Sequence, residues 1–178
     1  FAHNTTYTHD APTADGRYET HQRVRFDWDG DLLVAEHIST RADDGTWLHA
    51  EHLFAYHPGS FTPLARITCQ PHKNGKASVQ HIDWFHTDQI GAPLALFDAQ
   101  GNQTWTARFD AWGKRLDTPA PKNPRHAFSG ATDPDEQPIR LPGQYFDAES
   151  GMHYNRHRYY DPRLGAYISQ DPIRLVGG

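Results

Sequence analysis

The chain has 178 residues, with 17 Lys plus Arg against 22 Asp plus Glu and a formal charge of −5. A compact fold of this length hides about 70% of its unfolded surface, so a real core is within reach. The charge argues against a general nucleic-acid binder, which needs a basic face. A single cysteine, Cys69, excludes a disulfide framework, and no apolar run approaches the length of a membrane span. Aromatic content argues against disorder: five Trp, eight Tyr and nine Phe carry much buriable area.

The amino-terminal residues Phe1 to Thr6 lack the basic start and apolar stretch of a signal peptide. The chain starts on Phe1 and stops at Gly178 without a terminal element, and is expected to be a piece of something longer.

Period-two alternation dominates, which predicts strands. Leu32, Val34 and Ile38 are expected to share one strand face, with Glu36 among them. Trp105, Ala107 and Phe109 share another, opposite Thr104, Thr106 and Arg108. Met152, Tyr154 and Tyr160, with Arg156 and Arg158, are read as a third. Turn signals separate these runs: Asp29-Gly30, Asp44-Gly45, Pro58-Gly59, Asn74-Gly75, Gln100-Gly101, Trp112-Gly113 and Ser150-Gly151. Short strands punctuated in this way predict an all-β chain of antiparallel hairpins.

A phrase repeats along the chain: an aromatic, then Asp, then Gly three or four positions on. Copies begin at Phe26-Asp27, Phe97-Asp98, Phe109-Asp110, Phe146-Asp147 and Tyr160-Asp161, with a weaker one at Tyr56-His57. The aromatic covers the sheet face, the Asp bonds the turn backbone and the Gly supplies positive φ. Residues 117–143 break the pattern with six prolines and are expected to form a surface loop.

Other residues carry weaker signals. Thirteen His residues raise a metal hypothesis, but His49 and His52, and His153 and His157, are read as polar groups on exposed hairpins. Such side chains titrate near pH 6.5, so a response to mild acid is a further expectation. Ser169 lies beside Asp171 with no base in view, and no nucleophile-elbow motif occurs. Trp28, Trp47 and Trp84 are the candidates for stacking on sugars, against the reading that they cover the sheet. Arg156, Arg158 and Arg163 lie among tyrosines, and Arg stacked on Tyr and paired with Asp is favoured over a nucleic-acid surface. Cys69 is read as a free thiol.

The longer motifs carry a resemblance. They run His86-Thr-Asp-Gln-Ile-Gly-Ala-Pro-Leu94, Trp105-Thr-Ala-Arg-Phe-Asp-Ala-Trp-Gly113, Gly143-Gln-Tyr-Phe-Asp147 and Gly151-Met-His-Tyr-Asn-Arg156. Arg158-Tyr-Tyr-Asp-Pro162 and Ile168-Ser-Gln-Asp-Pro172 follow. This resembles the core-associated region of Rhs and YD-repeat proteins over about residues 81–178, with 1–80 similar to divergent YD-repeat strands and a Pro-rich insertion within 117–143.

The resemblance implies a curved, spiral sheet forming part of a cocoon around a C-terminal toxin. It implies type VI secretion, or kinship with the encapsulating subunit of Tc toxins. The implied partners are the remaining shell strands and the enclosed toxin domain, with a secretion spike protein and a chaperone. No cofactor, metal, nucleic acid or membrane span is expected. The implied location is a secreted effector, made in the bacterial cytoplasm without a signal peptide.

The family's aspartyl autoprotease has two Asp-Pro-x-Gly-Leu boxes. Here Asp171-Pro172-Ile173-Arg174-Leu175 sits at the first box, with Arg174 in place of Gly, and no second box is present. Asp171 is therefore the candidate catalytic residue, as half a site that is inactive alone. A carboxylate dyad needs two groups sharing one proton. Asp161-Pro162 belongs instead to the repeat phrase. A carbohydrate-binding β-module and the autoprotease element itself are the alternative functions.

Overall fold

The computed structural model describes residues 5–12, 18–42, 44–71, 77–116, 137–155 and 157–170. They form fourteen strands. An eight-stranded antiparallel sheet is a meander in strict sequence order: β1 (Thr5–Pro12), β2 (Tyr18–Asp29), β3 (Leu32–Arg41), β4 (Trp47–Tyr56), β5 (Pro63–Pro71), β6 (Ala77–Thr87), β7 (Pro93–Phe97) and β8 (Gln103–Thr106). A short ribbon pairs β9 (Arg108–Phe109) with β10 (Arg115–Leu116). A four-stranded sheet follows, from β11 (Tyr145–Asp147) through β12 (Met152–Asn155) and β13 (Arg158–Asp161) to β14 (Ala166–Tyr167). This is the all-β, antiparallel architecture expected. The position 80/81, where the sequence motifs change character, falls inside β6.

The turns follow local chemistry. Asp98 Oδ1 accepts from the backbone N–H groups of Gln100 and Asn102, both at 2.9 Å, and the Gly101 N–H donates to the Asp98 carbonyl. Asp110 does the same for Trp112 and Lys114, at 2.9 and 3.0 Å. Asp88 bonds Ile90 and Ala92 in the same way, an additional copy that lacks the preceding aromatic. Glycines close these loops at positive φ, including Gly91 at 92° and Gly101 at 80°. Pro63 and Pro93 begin their strands, where a missing N–H is tolerated.

Irregularities bend the sheet. The register shifts in six of its seven strand pairs; only β3–β4 runs without one. Bulges increase local twist, which curves a long meander. The shift between Asp27 and Trp28 also resets the face of β3. Leu33, not Leu32 or Val34, enters the core, beside Phe54 and Ile139. Phe26, Trp28, Tyr56, Phe85 and Tyr145 pack around them. Leu96, Trp105 and Ala107 form a second cluster with Phe85 and Phe109, as the alternation predicts.

Two expectations change. Residues 117–136 lie outside the described residues, but the end of the expected surface loop is core: Gln137, Pro138, Ile139 and Arg140 are all buried. The prolines there shape an irregular segment that packs on the large sheet. Met152 to Tyr160 is not one strand but a hairpin, turning at His157 with φ 73°. No glycine marks that turn.

Candidate functional site

The sequence candidate Asp171 lies outside the described residues. So do Arg156 and the Asn74-Gly75 turn. Ser169 is described, and its hydroxyl accepts the Tyr159 backbone N–H at 2.9 Å, a structural bond. Asp161 serves as the turn cap expected of the repeat phrase. Its Oδ1 accepts from the Arg163 backbone N–H at 2.8 Å and from Arg163 Nε at 3.0 Å, and its Oδ2 from the guanidinium at 2.9 Å. The Arg163 bonds hold its carboxyl down to about 2.

The described residues concentrate their buried chemistry in a polar seam, where segment 137–145 and the small sheet meet the large one. On the large sheet, Glu36 is buried and takes His52 Nδ1 at 3.1 Å. The Tyr145 phenol hydrogen-bonds the same carboxylate. Burial, then the Glu36 charge, push that phenol well above its ordinary value. Tyr56 donates to the Leu33 carbonyl at 2.9 Å, and burial raises it too. Phe26 meets Tyr145 edge-on at 4.9 Å, and Trp28 meets Tyr154 at 5.8 Å.

On the small-sheet side, Arg140 is almost fully buried. It donates to the carbonyls of Gln137 and Ile139, and its guanidinium lies 4.4 Å from the Phe146 ring centre. Gln137 turns back on its own segment, bonding both the N–H and the carbonyl of Ile139. His153 is buried, with Nδ1 2.7 Å from Gln144 Oε1. Burial, then the Arg140 charge, lower His153 to about 4. It is therefore neutral near pH 7, and Nδ1–H donates to Gln144.

Further along the sheet, fully buried Asp83 takes Arg66 at 3.1 Å and the Thr104 hydroxyl at 3.1 Å. The opposite face carries His37, whose two ring nitrogens lie 2.8 Å from Asp27 and 2.9 Å from Glu51. Asp27 is thus a cross-strand partner of His37, not the turn cap its phrase predicts.

These groups join strands and segments to one another. Among the described residues no group of three His, Cys, Asp or Glu is arranged to hold a metal ion. His49 bonds Ser39 at 2.9 Å, while His52 bonds Glu36. His153 lies in β12, whereas His157 lies in the hairpin turn that follows it. Cys69 is buried and its thiol is raised, first by burial and then by Glu51. Among the described residues, a cavity lined by Trp28, Tyr56, Phe61, Ile139, Gly143 and Tyr145 has about 10 Å³ of free space, scarcely one water molecule. Trp28 and Trp47 are engaged by Tyr154 and Arg23 respectively, whereas Trp84 is 46% exposed. Arg158 stacks on Tyr167 at 3.9 Å. Among the described residues no helix is long and apolar enough to cross a membrane.

The sequence reading missed Arg140, Gln137 and His153 as buried groups. The one legible signal was Glu36, a charge on an apolar strand face.

Comparison with known proteins places this architecture. Residues 82–117, spanning most of β6 to β10, match the family model described as RHS protein. Toxin protein Tse5 of Pseudomonas aeruginosa is 35% identical over 180 aligned residues, covering 88% of this chain. Double-stranded DNA deaminase toxin A of Burkholderia cenocepacia is 36% identical, covering 86%. The chain spans only 12% and 10% of these two relatives. The crystal structure of TcdB2-TccC3-TEV shares the fold, with a TM-score of 0.61 at 19% identity over 96% of this chain and 8% of that one. With the family match running through β6 to β10 and toxin relatives aligned along most of its length, the chain is an Rhs core region.

Proposed function

We propose that the chain forms part of the wall of a shell that encloses a C-terminal toxin and carries it into target cells. One observation supports this most. Eight strands follow one another in unbroken meander order and bend through a register shift at nearly every pair. Such a sheet extends by adding hairpins at its edges and curves as it grows. The relatives named as toxins contain it as about a tenth of their length. Type VI secretion is the proposed route, suggested by kinship with Tse5.

Limited proteolysis of the intact protein tests the enclosure. The C-terminal toxin domain should stay uncut until the shell itself is breached. Digestion of that domain ahead of the shell would overturn the reading.

Asp171 is proposed as one carboxylate of an autocleavage site completed elsewhere in the intact protein. A lone carboxylate cannot act as both acid and base, which is why a second is required. Asp171→Asn in the intact protein should abolish self-cleavage, and normal cleavage would remove Asp171 from the mechanism.

A further inference from the structure

His153 sits where four parts of the chain converge. Phe146 of β11 and Tyr160 of β13 flank its ring, each with centroids 6.0 Å away. The β9–β10 turn approaches through Gly113, where a Cβ would lie 3.9 Å from the imidazole. Gln144 receives its Nδ1–H. Gln144 in turn closes the 140–144 loop: its carbonyl accepts the Arg140 N–H at 3.0 Å, and its N–H donates to the Leu141 carbonyl at 2.8 Å. That loop carries Ile139 and Tyr145 onto Leu33, Phe54 and Glu36 of the large sheet. The imidazole–amide bond therefore adds a buried side-chain tie to the β11–β12 ladder, between β12 and the segment that grips the large sheet.

The charges around His153 disfavour a second proton. Arg140, from segment 137–144, is a buried cation. Asp161 of β13 is the nearby carboxylate that favours protonation, but both its oxygens already bond Arg163. Asp110 and Lys114 are the charged members of the β9–β10 turn, and Asp110 is committed to capping it. Protonated His153 would add a buried positive charge beside Arg140 without a free carboxylate.

We propose that His153 is an acid-sensitive latch: protonation at Nε2 leaves the Nδ1–H bond to Gln144 in place but creates a second buried cation beside Arg140, which releases segment 137–145 and the small sheet from the large sheet, while that sheet persists. The lowered position of His153, about 4, agrees with the geometry.

The test is an acid titration of the intact protein, followed by hydrogen exchange corrected for intrinsic rates. Peptides within 137–161 should lose protection between about pH 6 and 4, before peptides within 47–69. The His153→Gln variant keeps a donor for Gln144 but cannot take the proton. Its seam transition should move at least one pH unit lower or vanish. The proposal fails if the variant opens at the same pH as the native protein. Should the variant not fold, the native protein alone decides: simultaneous or earlier loss in 47–69 overturns the proposal.

Discussion

The Tyr145 phenol hydrogen-bonds the buried Glu36 carboxylate, joining the strand that opens the small sheet to the third strand of the large one. Glu36 also holds His52. A buried carboxylate is tolerated only when its hydrogen bonds are made. Tyr145→Phe removes one of them without changing ring volume. Denaturant unfolding should show a loss of about 1–3 kcal/mol. A change below about 0.5 kcal/mol would mean that the bond is replaced or unimportant.

His153 makes stability pH-dependent with a definite sign. Its position falls from 6.5 to about 4 on folding, so the unfolded chain binds the proton more readily. This contribution is complete above about pH 6.5, falls as pH drops toward 4, and levels off below. Its full span is about 3 kcal/mol. Urea midpoints measured from pH 7 to 4 should decline, and His153→Gln should flatten that decline. Parallel curves for the two proteins would contradict the assignment.

The Arg66–Asp83 pair should be sensitive to losing one partner. Both are buried, and Asp83 also accepts from Thr104. Asp83→Asn removes the carboxylate charge that faces the Arg66 guanidinium. The expected cost is about 3–5 kcal/mol by chemical denaturation. A cost under about 1 kcal/mol would show the pair to be dispensable.

Two glycines separate backbone strain from steric contact. Gly91 and Gly101 both adopt positive φ. A Cβ at Gly91 would lie 2.7 Å from Thr62 Oγ1, whereas one at Gly101 meets nothing within 4 Å. Both Ala variants should lose about 1 kcal/mol from strain, with a larger loss at Gly91. Equal melting temperatures for the two would refute the steric part.

Much of this fold was readable before the structure, and the reasons differ by element. The Asp98 and Asp110 turns were legible because their chemistry is local: one carboxylate bonds two nearby N–H groups. Asp27 carries the same phrase but answers to His37 across the strand, a partner that a local pattern does not reveal. The bulge at Val34, opposite Asp27 and Trp28, shifted the β3 core face by one residue, and alternation cannot foresee a bulge. Segment 137–143 read as surface because prolines do not form central strands. Its burial comes from tertiary packing of Ile139 and Arg140. The His157 turn carried no glycine to announce it.

The candidate chemistry was less legible than the fold. Asp171 came from motif resemblance and lies outside the described residues, while the buried seam depends on groups that meet only after folding. Electron cryomicroscopy of the intact protein tests the central claim most directly. The account predicts a closed shell whose wall includes the β1–β8 meander, with density for the C-terminal domain inside. An open sheet with that domain outside would contradict it.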